Sequence, residues 1–408
     1  MTRFLVKDLV KTNVSCYNKS DNWEYINYLD TGNLTNNVIS EVVKLIPGED
    51  TIPSRAKRKV KQGDILYSTV RPNQCHFGYM KNLLDNMLVS TGYAVLEPLA
   101  DKVCGKYLYY YLTQREIVEY LHSIAEGTVS TYPSIQPKDI EKISIDMPDL
   151  DEQKAIASVL SAYDDLIEKN NRKIEILQDM AEELYKEWFV RFRFPGYKTA
   201  KFTDGIPDGW EYKPFSKIAT FERGVSYSSD EIDCEDGINL INLKNINSYG
   251  GFRLDGTKKY NGKYRDGQVV KCGDLVMGVT DMTQDRRTVG AVALIPHFDN
   301  TCVISADLVK LNSDIDNLFI YSLCRYGYYS KFFSQFANGS NVLHLKPSSL
   351  RNQKMLIPRE DLIDSYVKVV RQINDTVNNL NRENDNLKQQ RDLLLPRLMS
   401  GKLEVKVS

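Results

Sequence analysis

The feature that most constrains the fold is an internal repeat, because the chain resembles itself at a shift of about 210 residues. One match pairs VKQGDILYSTV (60–70) with VKCGDLVMGVT (270–280), in which a polar turn and Gly-Asp precede an apolar run. Four more matches follow in the same order: VSTGYAVL (89–96) with ISADLVKL (304–311), KYLYYYL (106–112) with NLFIYSL (317–323), AEGTVSTYPSIQP (125–137) with ANGSNVLHLKP (337–347), and PKDIEKISIDMP (137–148) with PSSLRNQKMLIP (347–358). Repetition on this scale predicts two copies of one globular unit.

Each copy is followed by a long helical segment with one narrow apolar seam. Seam positions recur at alternating spacings of four and three residues over more than four heptads, which is typical of a coiled coil. The seam residues are Leu160, Tyr163, Ile167, Asn170, Ile174, Leu177, Ala181, Leu184 and Trp188 in the first copy, and Tyr366, Val370, Ile373, Val377, Leu380, Asn384, Leu387, Arg391, Leu394 and Leu398 in the second. A helix of roughly 38 residues is roughly 57 Å long, at about 1.5 Å per residue.

Local signals set the ends of these helices. Asp149 and Glu152 have the spacing of a capping box, and Pro195-Gly196 is expected to end the first helix. Pro396 should kink or fray the end of the second helix, and Gly401 should close it.

The sequence therefore predicts an α+β fold, with two strand-rich globular units separated by two long helices that form an antiparallel coiled coil. The repeat would then have a pseudo-twofold axis. The predicted boundaries are 1–148 for the first unit, 149–194 for the first helix, 195–358 for the second unit, and 359–408 for the second helix and tail.

Two polar residues and one aromatic cluster leave alternatives open. Asn170 and Asn384 fall in the middle of the two seams, where a buried pair would fix the register, but both could instead face solvent. The aromatic residues at the end of the first helix either pack against the neighbouring unit, which we favour, or dock a partner subunit. They are Trp188, Phe189, Phe192 and Phe194.

Composition excludes several classes of protein. No apolar run is long enough to span a bilayer, and the N-terminus lacks the features of a signal peptide. Seven scattered cysteines without a C-x-x-C pair argue for the cytoplasm and against a disulfide framework or zinc site. The formal net charge is −1, so any binding of nucleic acid must come from local basic patches.

Catalytic motifs are absent from the sequence. There is no G-x-G-x-x-G, Walker A, G-x-S-x-G or H-E-x-x-H pattern, and the four histidines are far apart. PDLDEQK (148–154) superficially resembles a nuclease motif, but its acidic residues fall in one predicted helix cap. A metal site would need them to converge from separate strands. No catalytic residue and no metal ligand is therefore predicted.

Several basic and polar segments are candidates for binding DNA. SRAKRKVK (54–61), with Arg55, Lys57, Arg58 and Lys59, is either a phosphate contact or a solvated charged turn. The segment after the first Gly-Asp strand holds Arg71, Asn73, Gln74 and His76, and the equivalent segment of the second copy holds Gln284, Arg286 and Arg287. Arginine, asparagine and glutamine have the fork geometry that matches guanine or adenine edges, so we favour base recognition over a solvated loop.

Further candidates come from the polar loops after Gly127 and Gly339 and from the segment that opens the second unit. They are Thr128, Ser130 and Tyr132 in the first unit, and Arg223, Tyr227, Ser340, Asn341, His344 and Lys346 in the second.

Four stretches resemble one protein family along almost the whole chain. They are GTVSTYPSIQPKDIEKISIDMPDLDEQKAIASVLSAYDDLIEKN, the aromatic run EELYKEWFVRFRFPG, PDGWEYKPFSKIATFERG (207–224) and RDLLLPRLMSGKLEV (391–405). These segments and their order look like the specificity subunit of type I restriction-modification systems. One departure is that the second unit begins with PDGW (207–210), whereas the first starts directly at MTRFLVKDLV, which leaves the boundary within residues 1–20 open.

The resemblance implies a non-catalytic subunit whose two target-recognition domains each read half of a bipartite, asymmetric site in double-stranded DNA. Its helices would set the gap and dock two methyltransferase subunits. S-adenosylmethionine, ATP and Mg would then belong to partner subunits, and none to this chain. The sequence leaves open whether restriction subunits join, because a methylation-only system needs the same subunit. A stand-alone nuclease or methyltransferase and a coiled-coil tether without DNA readout are the alternatives from other classes.

Overall fold

The chain divides into two compact units, and both mix helices with strands. The computed structural model describes residues 2–127, 132–234, 236–254 and 256–405. The first unit is Met1–Lys169 together with Glu383–Ser408, and the second is Asn170–Arg382. Each unit therefore includes a part of both long helices.

The first unit contains two four-stranded sheets, ordered β6-β3-β10-β7 and β2-β11-β8-β9, and the small pairs β1–β12 and β4–β5. Its strands are β1 (Thr2–Leu5), β2 (Val10–Thr12), β3 (Ile26–Leu29), β4 (Leu34–Thr35), β5 (Val38–Ile39), β6 (Val43–Leu45), β7 (Ala56–Lys59), β8 (Ile65–Ser68), β9 (Phe77–Tyr79), β10 (Met87–Ser90), β11 (Tyr93–Pro98) and β12 (Ser144–Met147). Its helices are α1 (Gly105–Leu112), α2 (Arg115–Glu126), α3 (Pro137–Glu141) and the start of α4 (Leu150–Tyr185).

The second unit also has two four-stranded sheets, ordered β18-β17-β23-β19 and β16-β24-β20-β22, with the pairs β13–β14, β15–β26 and β21–β25. Its strands are β13 (Phe202–Thr203), β14 (Ile206–Pro207), β15 (Glu211–Pro214), β16 (Thr220–Arg223), β17 (Ile238–Ile241), β18 (Lys258–Tyr260), β19 (Val269–Val270), β20 (Leu275–Gly278), β21 (Thr280–Asp281), β22 (Val292–Leu294), β23 (Cys302–Ile304), β24 (Leu308–Asn312), β25 (Leu343–His344) and β26 (Lys354–Ile357). Its helices are the end of α4, α5 (Asn317–Tyr326), α6 (Tyr329–Ser334) and the start of α7 (Glu360–Met399). The end of α7 belongs to the first unit.

The strand orders of the two units correspond, so the repeat in the sequence is also a repeat of pairing. In each unit the Gly-Asp turn leads into an inner strand, β8 or β20, and its glycine has a positive φ, +91° at Gly63 and +87° at Gly273. That conformation is open to glycine without a steric penalty. β1 pairs with β12 as β15 pairs with β26, so Thr2–Leu5 already matches the strand that follows PDGW in the second unit.

Each unit has its own aromatic core that includes residues of the long helices. In the first, Tyr67, Tyr107 and Ile145 cluster with Leu160 of α4 and Leu398 of α7. In the second, the core includes Phe215, Phe319 and Tyr366. Full burial of one such side chain contributes about 1.5–3 kcal/mol.

Helix α4 begins as the sequence predicts but ends earlier. The Asp149 carboxylate accepts the N–H groups of Asp151 and Glu152 at 3.1 and 3.0 Å, which satisfies two free donors of the first turn. The α-helix stops at Tyr185 and continues as a π turn, Lys186–Val190. The predicted end at Pro195-Gly196 is therefore wrong.

Aromatic packing accompanies this early end. Phe189 lies in the π turn, with its ring 5.4 Å from that of Phe319 and 5.0 Å from that of Tyr366. Phe192 then takes a left-handed conformation, with φ +55°. The predicted aromatic cluster packs within the second unit, where Phe189 and Phe194 are 7% and 4% exposed, so the packing alternative is confirmed.

The second long helix includes its proline and ends at its glycine. Pro396 lies inside α7, which continues to Met399. Gly401 has φ +69°, and its N–H donates to the Leu398 carbonyl at 3.2 Å. The predicted closure at Gly401 is confirmed.

The predicted seam points inward along both helices. Every seam residue of α4 and α7 is buried or half-buried. Asn170 and Asn384 are 5% and 3% exposed, so the alternative that they face solvent is wrong. Within the first unit, the Arg391 guanidinium contacts the Asp164 carboxylate at 2.5 Å; within the second, the rings of Tyr185 and Tyr366 lie 6.0 Å apart.

Within the described ranges, no helix is both long and apolar enough to cross a membrane.

Candidate nucleic-acid interface

In the first unit, loop A (residues 71–76) joins β8 to β9 and packs against the segment 132–135. Val70 and Ser134 form an antiparallel bridge, and the Arg71 N–H donates to the Pro133 carbonyl at 2.8 Å. The Arg71 guanidinium lies 4.7 Å from the ring centroid of Tyr132, which is 56% exposed. A cation over an aromatic face is attracted by about 0.5–1 kcal/mol at an exposed site, so the two side chains orient each other.

Other polar side chains of loop A also have partners within the unit. The Nδ1 atom of His76 lies 2.8 Å from the Leu34 carbonyl and 2.9 Å from the Thr35 hydroxyl, and its Nε2 atom lies 3.1 Å from Gln74 Oε1. Asn73 and Gln74 are exposed at the tip of the loop. His76 therefore anchors loop A to the β4–β5 hairpin and holds the Gln74 amide.

The predicted residues Thr128 and Ser130 lie outside the described residues. The predicted basic run has two kinds of side chain: Arg55 and Lys57 are exposed, whereas Arg58 and Lys59 are half-buried on β7. The Lys59 ammonium contacts the Asp21 carboxylate at 2.5 Å. Burial lowers the pKa of Arg58. Arg55 and Lys57 are thus the members of this run that solvent reaches.

In the second unit, loop B (residues 282–289) is closed by a buried carboxylate at its base. Asp281 is 2% exposed, and its oxygens accept the N–H and hydroxyl of Thr283, both at 2.9 Å, and the N–H of Thr288 at 2.7 Å. Burial favours the neutral acid, but these hydrogen bonds outweigh it and hold the pKa of Asp281 below its usual value. Asp281 therefore ties the two ends of loop B together as a carboxylate.

The predicted residues of loop B make distinct contacts. Gln284 donates to the Ser340 carbonyl at 2.9 Å, and Arg286, with φ +56°, donates to the Ser334 carbonyl at 2.7 Å. The Arg287 guanidinium is 54% exposed and pairs with Asp285 at 3.0 Å. Arg287 is thus the arginine of this loop that reaches outward.

Loop B faces the segment 338–346 as loop A faces 132–135. Thr280 pairs with His344 on neighbouring strands, and adding 210 to Val70 and Ser134 gives those same two positions. The structure therefore brings together, in each unit, the two segments that the sequence indicated separately. The side chains differ, because Arg71 of the first unit corresponds to Asp281 of the second.

A basic cleft of about 730 Å³ opens beside β25 in the second unit. It brings together three predicted residues, Arg223, His344 and Lys346, with Ser348 and Arg351. No Asp or Glu is among its described lining residues. Lysine and arginine without opposing carboxylates form a surface that attracts phosphate. Tyr227 is half-buried against the Val225–Tyr260 cluster outside this cleft, and Ser340 and Asn341 are exposed.

Residues 3–178 match the family described as "Type I restriction modification DNA specificity domain". The matched range falls mostly in the first unit. That range includes loop A, its facing segment and all but the last seven residues of α4.

Two curated relatives extend the similarity over the rest of the chain. The type I restriction enzyme HindI specificity subunit of Haemophilus influenzae is 27% identical, covering 92% of this chain and 94% of its own. The MjaIX specificity subunit of Methanocaldococcus jannaschii is 27% identical, covering 90% and 84%. The fold also matches the crystal structure of a type I restriction-modification S subunit from M. genitalium, with TM-score 0.56, 14% identity, and coverage of 97% and 95%. The resemblance to type I specificity subunits is thereby confirmed.

Sequence reasoning missed four residues at this candidate interface. Met282 and Tyr249 are exposed apolar side chains at loop B, at 71% and 58%, and the Tyr249 N–H donates to the Arg287 carbonyl at 2.7 Å. Asp281 closes the loop, and Arg351 lines the cleft. Only the shift of 210 residues could have indicated Asp281, because it aligns with Arg71. Among the residues with described positions, no three His, Cys, Asp or Glu side chains form a group that could hold a metal.

Proposed function

We propose that this chain is the DNA-specificity subunit of a type I restriction-modification complex, and that each unit reads one half of a bipartite, asymmetric site. The observation that carries the proposal is the equivalent pairing of two loops in each unit, Val70 with Ser134 and Thr280 with His344. The two units share this backbone pairing but present different side chains, as expected of two domains that recognise different DNA sequences.

The two loops offer side chains suited to base edges. Arg71, Asn73 and Gln74 in loop A, and Gln284 and Arg287 in loop B, have the donors that bind guanine or adenine in the major groove. The basic cleft beside loop B supplies phosphate contacts from Arg223, Lys346 and Arg351, which position the unit but carry no sequence information.

The long helices act as spacer and docking surface. In the first unit the start of α4 contacts the end of α7, through Asp164 and Arg391. In the second unit the end of α4 contacts the start of α7, through Tyr185 and Tyr366. Both contacts support an antiparallel coiled coil and a pseudo-twofold relation of the halves. In this arrangement the recognition domains are 1–148 and 195–358, and the segments 149–194 and 359–408 contain α4 and α7. Asn170 and Asn384, both buried in mid-seam, would set the register.

Catalysis belongs to partner subunits in this proposal. Two methyltransferase subunits dock on the helices and use S-adenosylmethionine to methylate adenine, and restriction subunits add the ATP- and Mg-dependent steps. The complex works in the cytoplasm, away from membranes. A methylation-only system is the second candidate, because it needs the same chain; a structural tether would leave the loop pairs without a role.

A chimera tests the two-reader arrangement. Residues 200–357 are replaced by the equivalent segment of a relative, and adenine methylation by the assembled complex is mapped at base resolution. We expect only one half of the methylated site to change, because each unit has its own core and loop pair. The matched chimera that replaces residues 1–148 should change only the other half. A folded, assembled chimera that alters both halves would overturn the proposal.

A further inference from the structure

The aspartates of the two Gly-Asp turns differ in whether a lysine side chain pairs with them. In both turns the aspartate closes the turn through its Oδ2 atom, which accepts the Lys61 N–H at 2.7 Å in the first unit and the Lys271 N–H at 2.8 Å in the second. Asp64 and Asp274 are thus equivalent in position and backbone contact.

In the second unit, a lysine of the neighbouring strand completes the contact. The Lys310 ammonium lies 2.7 Å from Asp274 Oδ2 and donates to the Val269 carbonyl at 3.3 Å. Its side chain is only 18% exposed, so the ion pair is largely shielded from solvent.

In the first unit, a valine takes the place of that lysine. Val95 pairs with Leu66 as Lys310 pairs with Val276, and these positions match in the repeat. Asp64 is 4% exposed. Among residues whose structure is described, it has no ion-pair partner, and its Oδ1 atom has no hydrogen-bond donor. The shorter side chain leaves a cleft of about 360 Å³, lined by Asp64, Val95 and Lys59, the equivalents of Asp274, Lys310 and Val269.

We propose that this cleft binds a primary alkylammonium group, which contacts Asp64 as the Lys310 side chain contacts Asp274. The cleft has apolar walls for a methylene chain, including Trp23, Leu83 and Met87. A buried carboxylate without a counter-charge is unfavourable, and an ammonium supplies both the charge and the donors that this one lacks.

The charges around the cleft favour a single cation. Its charged lining residues are Lys59, Lys61, Asp64, Asp85 and Glu97, which sum to −1. Both lysines are already paired, Lys59 with Asp21 at 2.5 Å and Lys61 with Glu97 at 3.3 Å. Ca²⁺ and Mg²⁺ prefer six or more oxygen ligands, which one buried carboxylate does not provide.

Protonation of Asp64 should control the affinity. Burial, assisted by Glu97 and opposed by the Lys61 contacts, raises the pKa of Asp64 to about 6. The carboxylate form that attracts an ammonium therefore predominates above pH 6, and binding should strengthen as the pH rises through that value.

The test uses the full chain labelled with 5-fluorotryptophan, because Trp23 lines the cleft while Trp188 and Trp210 belong to the second unit. n-Butylammonium chloride, which matches a lysine side chain, is titrated at pH 7.5 with KCl holding the ionic strength constant. We expect a saturable shift of the Trp23 fluorine resonance and none of the other two. Asp64→Asn should weaken binding at least tenfold, and Val95→Lys should abolish it by filling the cleft.

Two results would overturn the proposal. One is a wild-type Trp23 resonance that does not respond, or responds equally to tetramethylammonium, which has no N–H donor. The other is an unchanged affinity in a folded Asp64→Asn protein. Repeating the titration with methyltransferase subunits bound identifies the source: a lost response indicates that a partner's lysine occupies the site, and a retained response indicates a free amine. Because the first titration contains no DNA, it stands apart from the proposed DNA readout.

Discussion

The Asp281 carboxylate accepts the Thr288 N–H at 2.7 Å, and this contact holds loop B closed across eight residues of sequence. A loop closed in this way presents Met282, Gln284 and Arg287 in one arrangement before the proposed contact with DNA forms. Preorganisation of this kind raises affinity by reducing the ordering that binding requires.

Asp281→Asn should therefore loosen loop B without unfolding the unit, because the amide is isosteric but offers only one acceptor atom. We expect affinity for the second half-site to fall roughly tenfold, about 1.4 kcal/mol. Base preference there should relax while the first half-site keeps its preference, and the amides of Thr283 and Thr288 should exchange hydrogen faster.

The matched control is Asp285→Asn, which removes the same charge from the exposed part of loop B. It should leave amide exchange at Thr283 and Thr288 unchanged. If Asp281→Asn lowers methylation equally at both half-sites, Asp281 serves stability alone. Faster amide exchange together with unchanged base preference would show that loop B does not read DNA.

The outward arginines of the two loops should each act at one half-site. Arg71→Ala and Arg287→Ala should each cost about 1–3 kcal/mol of discrimination at one base pair, because a bidentate contact to guanine is lost. Methylation of substrate libraries measures this, with Arg3→Ala as an exposed control away from the loops. Uniform weakening across all sequences would instead make that arginine a phosphate contact.

The helices should set the gap between half-sites. One heptad inserted after Asn171 and another after Asn381 would keep the seam in register and lengthen each helix by roughly 10 Å. The preferred gap should then grow by roughly three base pairs, or binding should fail because the units face different sides of the duplex. A heptad inserted after Asn171 alone should destabilise the protein. Unchanged preference for the original gap in the double insertion would refute the spacer role.

Burial of Asp64 should make the first unit less stable as the pH rises. Its folded pKa of about 6 lies above the ordinary aspartate pKa of 3.8, so folding favours the protonated form. The stabilisation is complete below about pH 4 and is lost as the pH rises through 6, with a loss of about 3 kcal/mol. Asp64→Asn should remove this dependence. The difference in unfolding free energy between wild type and variant, measured in urea from pH 4.5 to 7.5, checks it.

Asp85→Asn is the matched control, because Asp85 is an exposed carboxylate on the same cleft. Its unfolding free energy should follow that of the wild type with pH. If the unfolding free energies of the wild type and of Asp64→Asn change with pH in parallel, Asp64 has an ordinary pKa in the folded protein and the prediction is wrong.

The sequence by itself determined the repeat, the long helices, their inward seam and the position of the candidate loops. These depend on local signals: the seam follows from spacing along one helix, the Gly63 and Gly273 turns from a conformation that suits glycine, and the start of α4 from the Asp149 cap. Such signals are strong because the residues that interact are close in sequence.

Only the tertiary structure decided which side chains meet. Arg71 stacks on Tyr132, and the cleft beside Asp64 is lined by residues from several strands and loops. These residues are distant in sequence, and the periodicity of the sequence does not encode which of them pack together. The early end of α4 has the same cause, since Phe189 packs among Phe319 and Tyr366, far along the chain. Long-range packing ends the helix before its local stop signal because burying an aromatic ring contributes more free energy than one turn of helix gains from its own hydrogen bonds.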